Sequence, residues 1–310
     1  MGERKPFRFA VSTAATRPRK EWIETAQKAE ALGFSTLLVA DHLQNLVAPL
    51  PALMSAADAT TTLRVGTLVL SNDYRHPVML AKEAATLDVL SDGRFELGIG
   101  AGWKRDEYEQ AGIRFDDASI RVDRLEESIQ VIKGLFAGDP VNFEGQHYHV
   151  RDMVGYPRPI QQPHPPLMIG GARKRMLSLA AREANIIALA TKVYADGRHD
   201  FVDSTGPAIA RKVQWIREAA GPRYSELELH IHVGGVIVTP VREEVAASMA
   251  PTVGLSGEQL LDCVQALIGT EDQIVADLLQ RREQYGISYV SIEERDMDGA
   301  APIITRLAGT

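Results

Sequence analysis

Eight short runs rich in apolar and β-branched residues recur along this chain, at 7–14, 36–40, 63–71, 94–100, 167–170, 186–191, 227–239 and 287–292, with helical patterns between them. The helices are amphipathic, most clearly where Val122, Leu125, Ile129, Ile132 and Phe136 succeed one another at spacings of three and four. Pro18, shortly before Trp22 and Ile23, suits the first turn of another. Strands that alternate with helices make a parallel sheet with right-handed crossovers, and eight of them predict closure into a (β/α)8 TIM barrel. An open doubly wound sheet shows the same alternation, but the first run is followed by Ala15-Thr-Arg-Pro and not by a Gly-x-Gly-x-x-Gly turn.

A barrel of this kind takes about 250 residues plus insertions, so the 310 residues are expected to form one domain, 1–310. The alternation breaks at 139–166, which reads as an insertion. Val141-Asn-Phe-Glu-Gly-Gln-His-Tyr-His-Val has the pattern of a hairpin, and the prolines of Tyr156-Pro-Arg-Pro-Ile-Gln-Gln-Pro-His-Pro-Pro favour an extended crossing. Mixed Gly, Asp, Ser and Pro at 191–206 and 249–257 mark two loops over the barrel mouth, and nothing in the pattern decides whether they move.

The 34 basic and 41 acidic residues leave a net charge of −7, spread along the chain without a long basic run. That argues against nucleic acid as a partner and for a small-molecule substrate. No stretch approaches the roughly 20 apolar residues of a membrane span, so no membrane partner and a cytoplasmic location are expected. The single cysteine, Cys263, excludes an internal disulfide or a thiolate zinc cluster. It falls in a helical pattern with Leu260, Leu261, Val264 and Leu267, where a buried, inert thiol is expected.

Barrel enzymes carry their chemistry just past the carboxyl ends of the strands, and polar residues gather there. His42 follows Leu37-Leu-Val-Ala-Asp41 and suits proton transfer near neutral pH; the plainer reading is a structural hydrogen-bonding residue. Tyr74, Arg75 and His76 follow the third run, although Arg75 equally suits an ion pair with an acidic neighbour on the rim. Trp103 ends the run Gly98-Ile-Gly100-Ala-Gly102 and is either a wall of the substrate space or a core aromatic. In Leu167-Met-Ile-Gly170-Gly171-Ala172-Arg-Lys, two glycines let the backbone approach an anion at a helix start, and Arg173 and Lys174 add positive charge. The same pattern is satisfied by a tight strand-to-helix turn. The pairs His147/His149 and His230/His232 share a strand face, but no acidic cluster accompanies them and no metal is expected. Glu293 follows the last strand and is able to reach the mouth, although the run Glu293-Glu-Arg-Asp most simply reads as solvated surface.

Taken in order, Asp41-His42, Val65-Gly-Thr67, Arg75-His-Pro77, Leu87-Asp-x-Leu-Ser-x-Gly-Arg94, Leu97-Gly-Ile-Gly-Ala-Gly-Trp103 and Ile169-Gly-Gly171 resemble the luciferase-like monooxygenase superfamily, and more narrowly its branch that uses the deazaflavin coenzyme F-420. The resemblance implies a bacterial-luciferase-like barrel, a flavin or deazaflavin in its mouth, and a homodimer. It implies His42 as the catalytic residue, and cofactor contacts at Asp41, Thr67, Leu68, Val69, Gly98, Gly100, Gly102, Gly170, Gly171 and Ala172, with a non-prolyl cis peptide at Leu68–Val69 or beside it. From their places past the strand ends, Trp103, Tyr74 and Arg75 are expected around the substrate. Sugar-phosphate dehydrogenases of the superfamily carry glutamate where Trp103 stands and tryptophan where Leu46 stands, which weighs against a sugar phosphate here. The expected activity is therefore hydride transfer between F-420 and a small organic molecule. An FMN-dependent monooxygenase, a noncatalytic flavin-binding protein and, more distantly, a metal-dependent barrel hydrolase are the alternatives.

Overall fold

In a computed structural model, which describes residues 4–194 and 197–310, the runs become eight strands: β1 (Arg8–Ser12), β2 (Thr36–Val39), β3 (Arg64–Thr67, resuming at Leu70–Ser71), β4 (Phe95–Gly100), β5 (Leu167–Gly171), β6 (Ile186–Leu189), β7 (Glu228–Val233) and β8 (Ile287–Glu293). Each lies beside its neighbours in sequence and β3 pairs with β4, so the sheet closes into a (β/α)8 barrel. Every pairing whose register is defined is parallel. Parallel strands covered on both faces read as continuous apolar runs. All four residues of β2 and of β6, and all six of β4, are buried.

By its contacts the chain divides into two compact units. One takes in the residues through Thr13, Lys28–Leu37 and Gly170–Thr310; the other comprises Ala14–Gln27 and Leu38–Ile169. The second holds helices α1 in part (Arg19–Ala31), α2 (Pro49–Asp58), α3 (Pro77–Leu90), α4 (Arg105–Gln110) and α5 (Ala118–Ala137). Leu125, Ile129, Ile132 and Phe136 of α5 are buried as their spacing requires, and Gly138 ends the helix at φ +83°. The hairpin forms from Val141–Glu144 and His149–Met153, antiparallel, and Pro157 and Pro163 of the following crossing are both cis.

The first unit holds α6 (Lys174–Glu183) and α7 (Gly206–Ala220). Two sequence expectations are corrected in it. The run 227–239 breaks at Gly234, and Gly235–Val238 leaves the barrel to pair in parallel with Ala266–Gly269. Consequently Leu267 lies in a strand, and Cys263 caps the end of the helix Gly257–Asp262 in place of continuing it. Short apolar runs do not reveal their period, and the pairing of Leu267 with Val236 decides it. Cys263 is buried with Ala246, Leu255 and Leu260, and burial pushes its thiol pKa up, as suits an inert side chain. The loop at 191–206 carries a small antiparallel pair, Lys192–Val193 with His199–Asp200; residues 195 and 196 of that segment lie outside the described residues. In the loop at 249–257, Ala250–Val253 forms a 3-10 turn.

The helix Glu271–Tyr285 begins in a capping box, Thr270 accepting from Gln273 N–H at 3.3 Å while Gln273 accepts from Thr270 N–H at 2.8 Å. Thr270→Ala is expected to cost about 1 kcal/mol in urea unfolding. A loss within a few tenths of zero would show that tertiary packing alone holds that end.

Candidate active site

The carboxyl end of β2 and the segment after β3 build one cluster, entirely within the second unit. Asp41, buried, accepts two hydrogen bonds from the Arg75 guanidinium at 2.6 and 3.0 Å and one from Ser71 N–H at 3.0 Å. This bidentate pair pins the loop after β3 to the end of β2. Both partners are therefore occupied with each other: Asp41 anchors the loop, and the Arg75 fork is taken by its carboxylate. His76 caps α3, accepting from Val78 N–H, and its ring packs edge-on against Tyr148.

His42 directs Nδ1 at the carboxylate of Glu107, 3.0 and 3.1 Å from its two oxygens. Glu107, on α4, is 1% exposed and is also held by Lys104 Nζ at 3.1 Å and by the Tyr74 hydroxyl at 3.2 Å. Burial alone pushes its pKa up, but the hydrogen bonds from His42 and Lys104 outweigh it and leave the carboxyl below its ordinary range, hence ionised at neutral pH. An ionised carboxylate only accepts, so Nδ1 carries the hydrogen and donates it to Glu107, leaving Nε2 on the far side of the ring from that bond. No described residue bonds to Nε2, and the ring is about one quarter exposed. Trp103 stands edge-on to it at 5.8 Å and is 42% exposed, so it flanks His42 and is not a core aromatic.

Behind this pair the support is dense. Tyr108 is buried, bonds Ser71 Oγ at 2.9 Å and donates to Asp73 at 3.2 Å; Asp73 in turn meets Arg124 at 2.9 Å. Burial pushes the pKa of both Tyr74 and Tyr108 well up, and the carboxylates beside them add to it, so both stay protonated donors. Gly102, at φ +72°, has no room for a side chain: a Cβ would stand 1.8 Å from the Tyr108 hydroxyl. The bond Leu68–Val69 is cis, where the resemblance places it. Thr67 is bound to Gly98 in both directions, its hydroxyl donating to the Gly98 carbonyl at 2.7 Å and accepting from the Gly98 N–H at 2.8 Å. A Cβ at Gly98 would lie 1.9 Å from the Thr67 carbonyl, and one at Gly100 would lie 2.9 Å from Val69 Cγ2. These glycines admit the neighbouring strand.

The fingerprint Leu87-Asp-x-Leu-Ser-x-Gly-Arg94 is a brace at the other end of β3. Asp88, fully buried, accepts from the backbone and side chain of Gln161, while Arg94 donates to the carbonyls of Ala57, Leu63 and Ser91.

In the first unit Gly170 and Gly171 end β5, and α6 starts at Lys174 after Arg173, whose side chain supplies no cap. Gly171 is sterically required, since a Cβ would meet Met176 Cγ at 2.5 Å. A cleft of about 460 Å³ is lined by Ala172, Arg173 and Lys174 together with Lys192, Arg211 and Trp215. Asp203, which lines it, is held by Lys212, 0% exposed, at 2.6 Å, and Lys212 also donates to the Ala190 and Asp203 carbonyls at 2.8 and 2.7 Å.

His230 and His232 do share a face, and both turn to Ser291: Nε2 of His230 at 2.9 Å, Nδ1 of His232 at 3.0 Å, with His232 Nε2 on Glu293 at 2.9 Å. His149 pairs with Glu144. Among the described residues no group of three or more His, Cys, Asp or Glu is placed to share a metal ion. Burial, then the nearby His232 and Arg8, holds the pKa of His230 well below 6.5. The unfolded chain therefore takes up a proton below pH 6.5 that the fold refuses, so stability is complete above that pH and declines as acid is added, by up to about 1.4 kcal/mol per pH unit. His199, lowered by burial, acts in the same direction. Urea unfolding at pH 7 and pH 5.5 is expected to show this decline, reduced in His230→Gln. Equal pH dependence in the two proteins would contradict the assignment.

Glu107 and Lys212 were not apparent in the sequence as functional or buried groups. Glu107 sits in Lys104-Arg-Asp-Glu, which reads as solvated surface; Lys212 interrupts the apolar spacing of Ile209, Val213 and Ile216, a signal that was available.

A family profile described as luciferase-like monooxygenase matches residues 5–253. The F-420-dependent glucose-6-phosphate dehydrogenase of Microbacterium testaceum is 35% identical over 188 residues, covering 58% of this chain and 55% of the relative. The oxygenase component of the flavin-dependent trigonelline monooxygenase of Acinetobacter baylyi is 35% identical over 153 residues, 48% of this chain and 42% of the relative. The coenzyme F-420-dependent tetrahydromethanopterin reductase from Methanopyrus kandleri has the same fold, with a TM-score of 0.77 over 98% of this chain and 99% of that one at 18% identity. The chain spans about half the length of the first curated relatives it matches.

Proposed function

The chain belongs to the luciferase-like monooxygenase family, and on that premise we propose that it is an oxidoreductase passing a hydride between the deazaflavin F-420 and a small organic alcohol or carbonyl compound. The observation that carries this reading is the His42–Glu107 pair with its open Nε2. When bound, the deazaflavin supplies the hydride chemistry. Glu107 fixes the tautomer of His42, and Nε2 takes the proton of a substrate hydroxyl in one direction or returns it to a carbonyl in the other. Tyr74 and Lys104 keep Glu107 in place and ionised.

The residues fit an acidic cofactor. The glycine pair ends β5 hard against α6, and the cleft beside it carries an excess of positive charge in a chain of net charge −7. Gly170, Gly171 and Ala172 are assigned to the phosphate through the helix start. Thr67, Leu68, Val69, Gly98, Gly100 and Gly102 are assigned to the segment that backs the ring, with Asp41 holding its loop. Trp103 and Tyr74 are assigned to the substrate side, and Arg75 to the same side through the loop it fixes by its pair with Asp41. An exposed tryptophan beside His42, in place of a carboxylate, favours an uncharged organic substrate over the sugar phosphate named for the curated relatives.

The relatedness to a flavin-dependent monooxygenase supports a second reading, FMN-dependent oxygenation on the same residues. Anaerobic turnover of F-420 with a panel of alcohols and carbonyl compounds, set beside oxygen uptake with reduced FMN, separates them. F-420 turnover without oxygen is the expected result; oxygen uptake with FMN alone would replace the first reading with the second. A single barrel domain in a cytoplasmic homodimer completes the proposal. Among the described residues no helix is long and apolar enough to cross a membrane.

A further inference from the structure

Ser291 has a single hydroxyl hydrogen, yet two imidazole nitrogens bond to it, Nε2 of His230 at 2.9 Å and Nδ1 of His232 at 3.0 Å. The parallel pairing of β7 with β8 sets His232 beside Ser291, and Nε2 of His232 meets Glu293 at 2.9 Å, so four side chains form one line of hydrogen bonds. Its outer end, His232 and Glu293, is about one third exposed at the carboxyl ends of the two strands. Its inner end, Ser291 and His230, is buried, and among the described residues Nδ1 of His230 has no hydrogen-bond partner. Other titratable and charged groups stand around the line. Tyr289 lies 4.8 Å from the His230 ring with Arg8 over it, and Arg8 is held by Glu228; past the strand end, Glu294 accepts from Thr13 and Arg295 donates to the Gly234 carbonyl.

The hydrogens on this line are constrained. The hydrogen bond from His232 outweighs burial and holds the Glu293 carboxyl below its ordinary range, an effect that Arg295 aids and Glu294 opposes. Glu293 is therefore ionised at neutral pH and only accepts, so Nε2 of His232 carries a hydrogen. Burial keeps His230 neutral, with one ring hydrogen. Each buried polar group left unpaired costs about 1–3 kcal/mol, and two arrangements leave only one. With His232 neutral, Ser291 donates to its Nδ1 and accepts from His230 Nε2–H. With His232 charged, its Nδ1–H donates to Ser291, the hydroxyl turns to donate to His230 Nε2, and the hydrogen of His230 sits on Nδ1. In both the unpaired atom is His230 Nδ1, the one that the structure leaves without a partner. Charging His232 without the change at His230 would orphan the Ser291 hydroxyl as well.

We propose that Glu293, His232, Ser291 and His230 form a proton relay, which binds one proton as a unit and passes it through the Ser291 hydroxyl between buried His230 and the rim. A proton added at His230 Nδ1 sends the Nε2 hydrogen to Ser291 and the Ser291 hydrogen to His232 Nδ1. His230 ends neutral, and the positive charge rests on His232 against Glu293. The reverse sequence returns the proton. The relay is a source or sink of one proton at the rim, whichever cofactor the protein takes.

Nitrogen-15 NMR of protein labelled at histidine tells a bare ring nitrogen from an N–H, and is followed across the interval in which histidines change charge, about pH 5 to 8. The expected result is a His230 hydrogen that sits on Nε2 at the alkaline end and on Nδ1 at the acid end, changing at the midpoint at which His232 becomes charged. Ser291→Ala, which removes the connecting hydroxyl, is expected to abolish the change at His230. His232→Gln, at a partly exposed position, is expected to hold His230 in one tautomer throughout. A His230 that keeps one tautomer across the interval in the unmodified protein, or that still changes in either variant, overturns the proposal.

Discussion

Gly98→Ala is expected to destabilise the protein by about 3 kcal/mol or more, because the added Cβ would stand 1.9 Å from the Thr67 carbonyl, a backbone atom inside a closed barrel. The clash falls where β3 breaks off and where Thr67 is tied to Gly98 by two hydrogen bonds. Relief requires β3 or β4 to move, and with them the loop that Asp41 and Arg75 hold. Gly299→Ala provides the contrast: it lies exposed in the helix Met297–Leu307 with nothing near its would-be Cβ. There alanine is expected to add several tenths of a kcal/mol through helix propensity. Denaturant melts of the two variants check both signs. A Gly98→Ala protein as stable as its parent would mean that the strands are not packed as closely as described.

The second large effect concerns the imidazole. His42→Ala is expected to lower kcat/KM by about 10²–10⁴-fold on whichever substrate the panel identifies, since it removes the proton acceptor. Glu107→Gln is expected to cost roughly 10–100-fold, mostly in kcat, because an amide holds the ring without fixing its tautomer. Glu107 is a positioning residue, and the division between kcat and KM is what distinguishes that role from a merely structural one. A Glu107→Gln enzyme whose KM rises while kcat is unchanged would assign the carboxylate to binding instead.

Much of this architecture was legible in the chain because parallel barrel strands are buried on both faces and announce themselves as apolar runs. β2, β4 and β6 stand within one or two residues of where the runs place them. The exceptions have a common cause. The segment 235–238 and its partner 266–269 are short and apolar, and their pairing outside the barrel is decided by contacts that no local pattern encodes. In the site, His42 was legible from its place after β2, and the cis bond from the family pattern around Leu68. Glu107 was not, because a carboxylate that reaches across 65 residues to an imidazole looks in sequence like any surface glutamate. Gly102 was legible only as a small residue; the reason for it, the hydroxyl of Tyr108, lies in a helix turn that periodicity does not orient.

The account as a whole turns on which cofactor the protein takes, and equilibrium titration of the purified protein with F-420 and, separately, with FMN answers that directly. Saturable F-420 binding at micromolar concentration, tighter than that of FMN, is the expected result. Saturation by FMN with no response to F-420, or no binding of either, would contradict it.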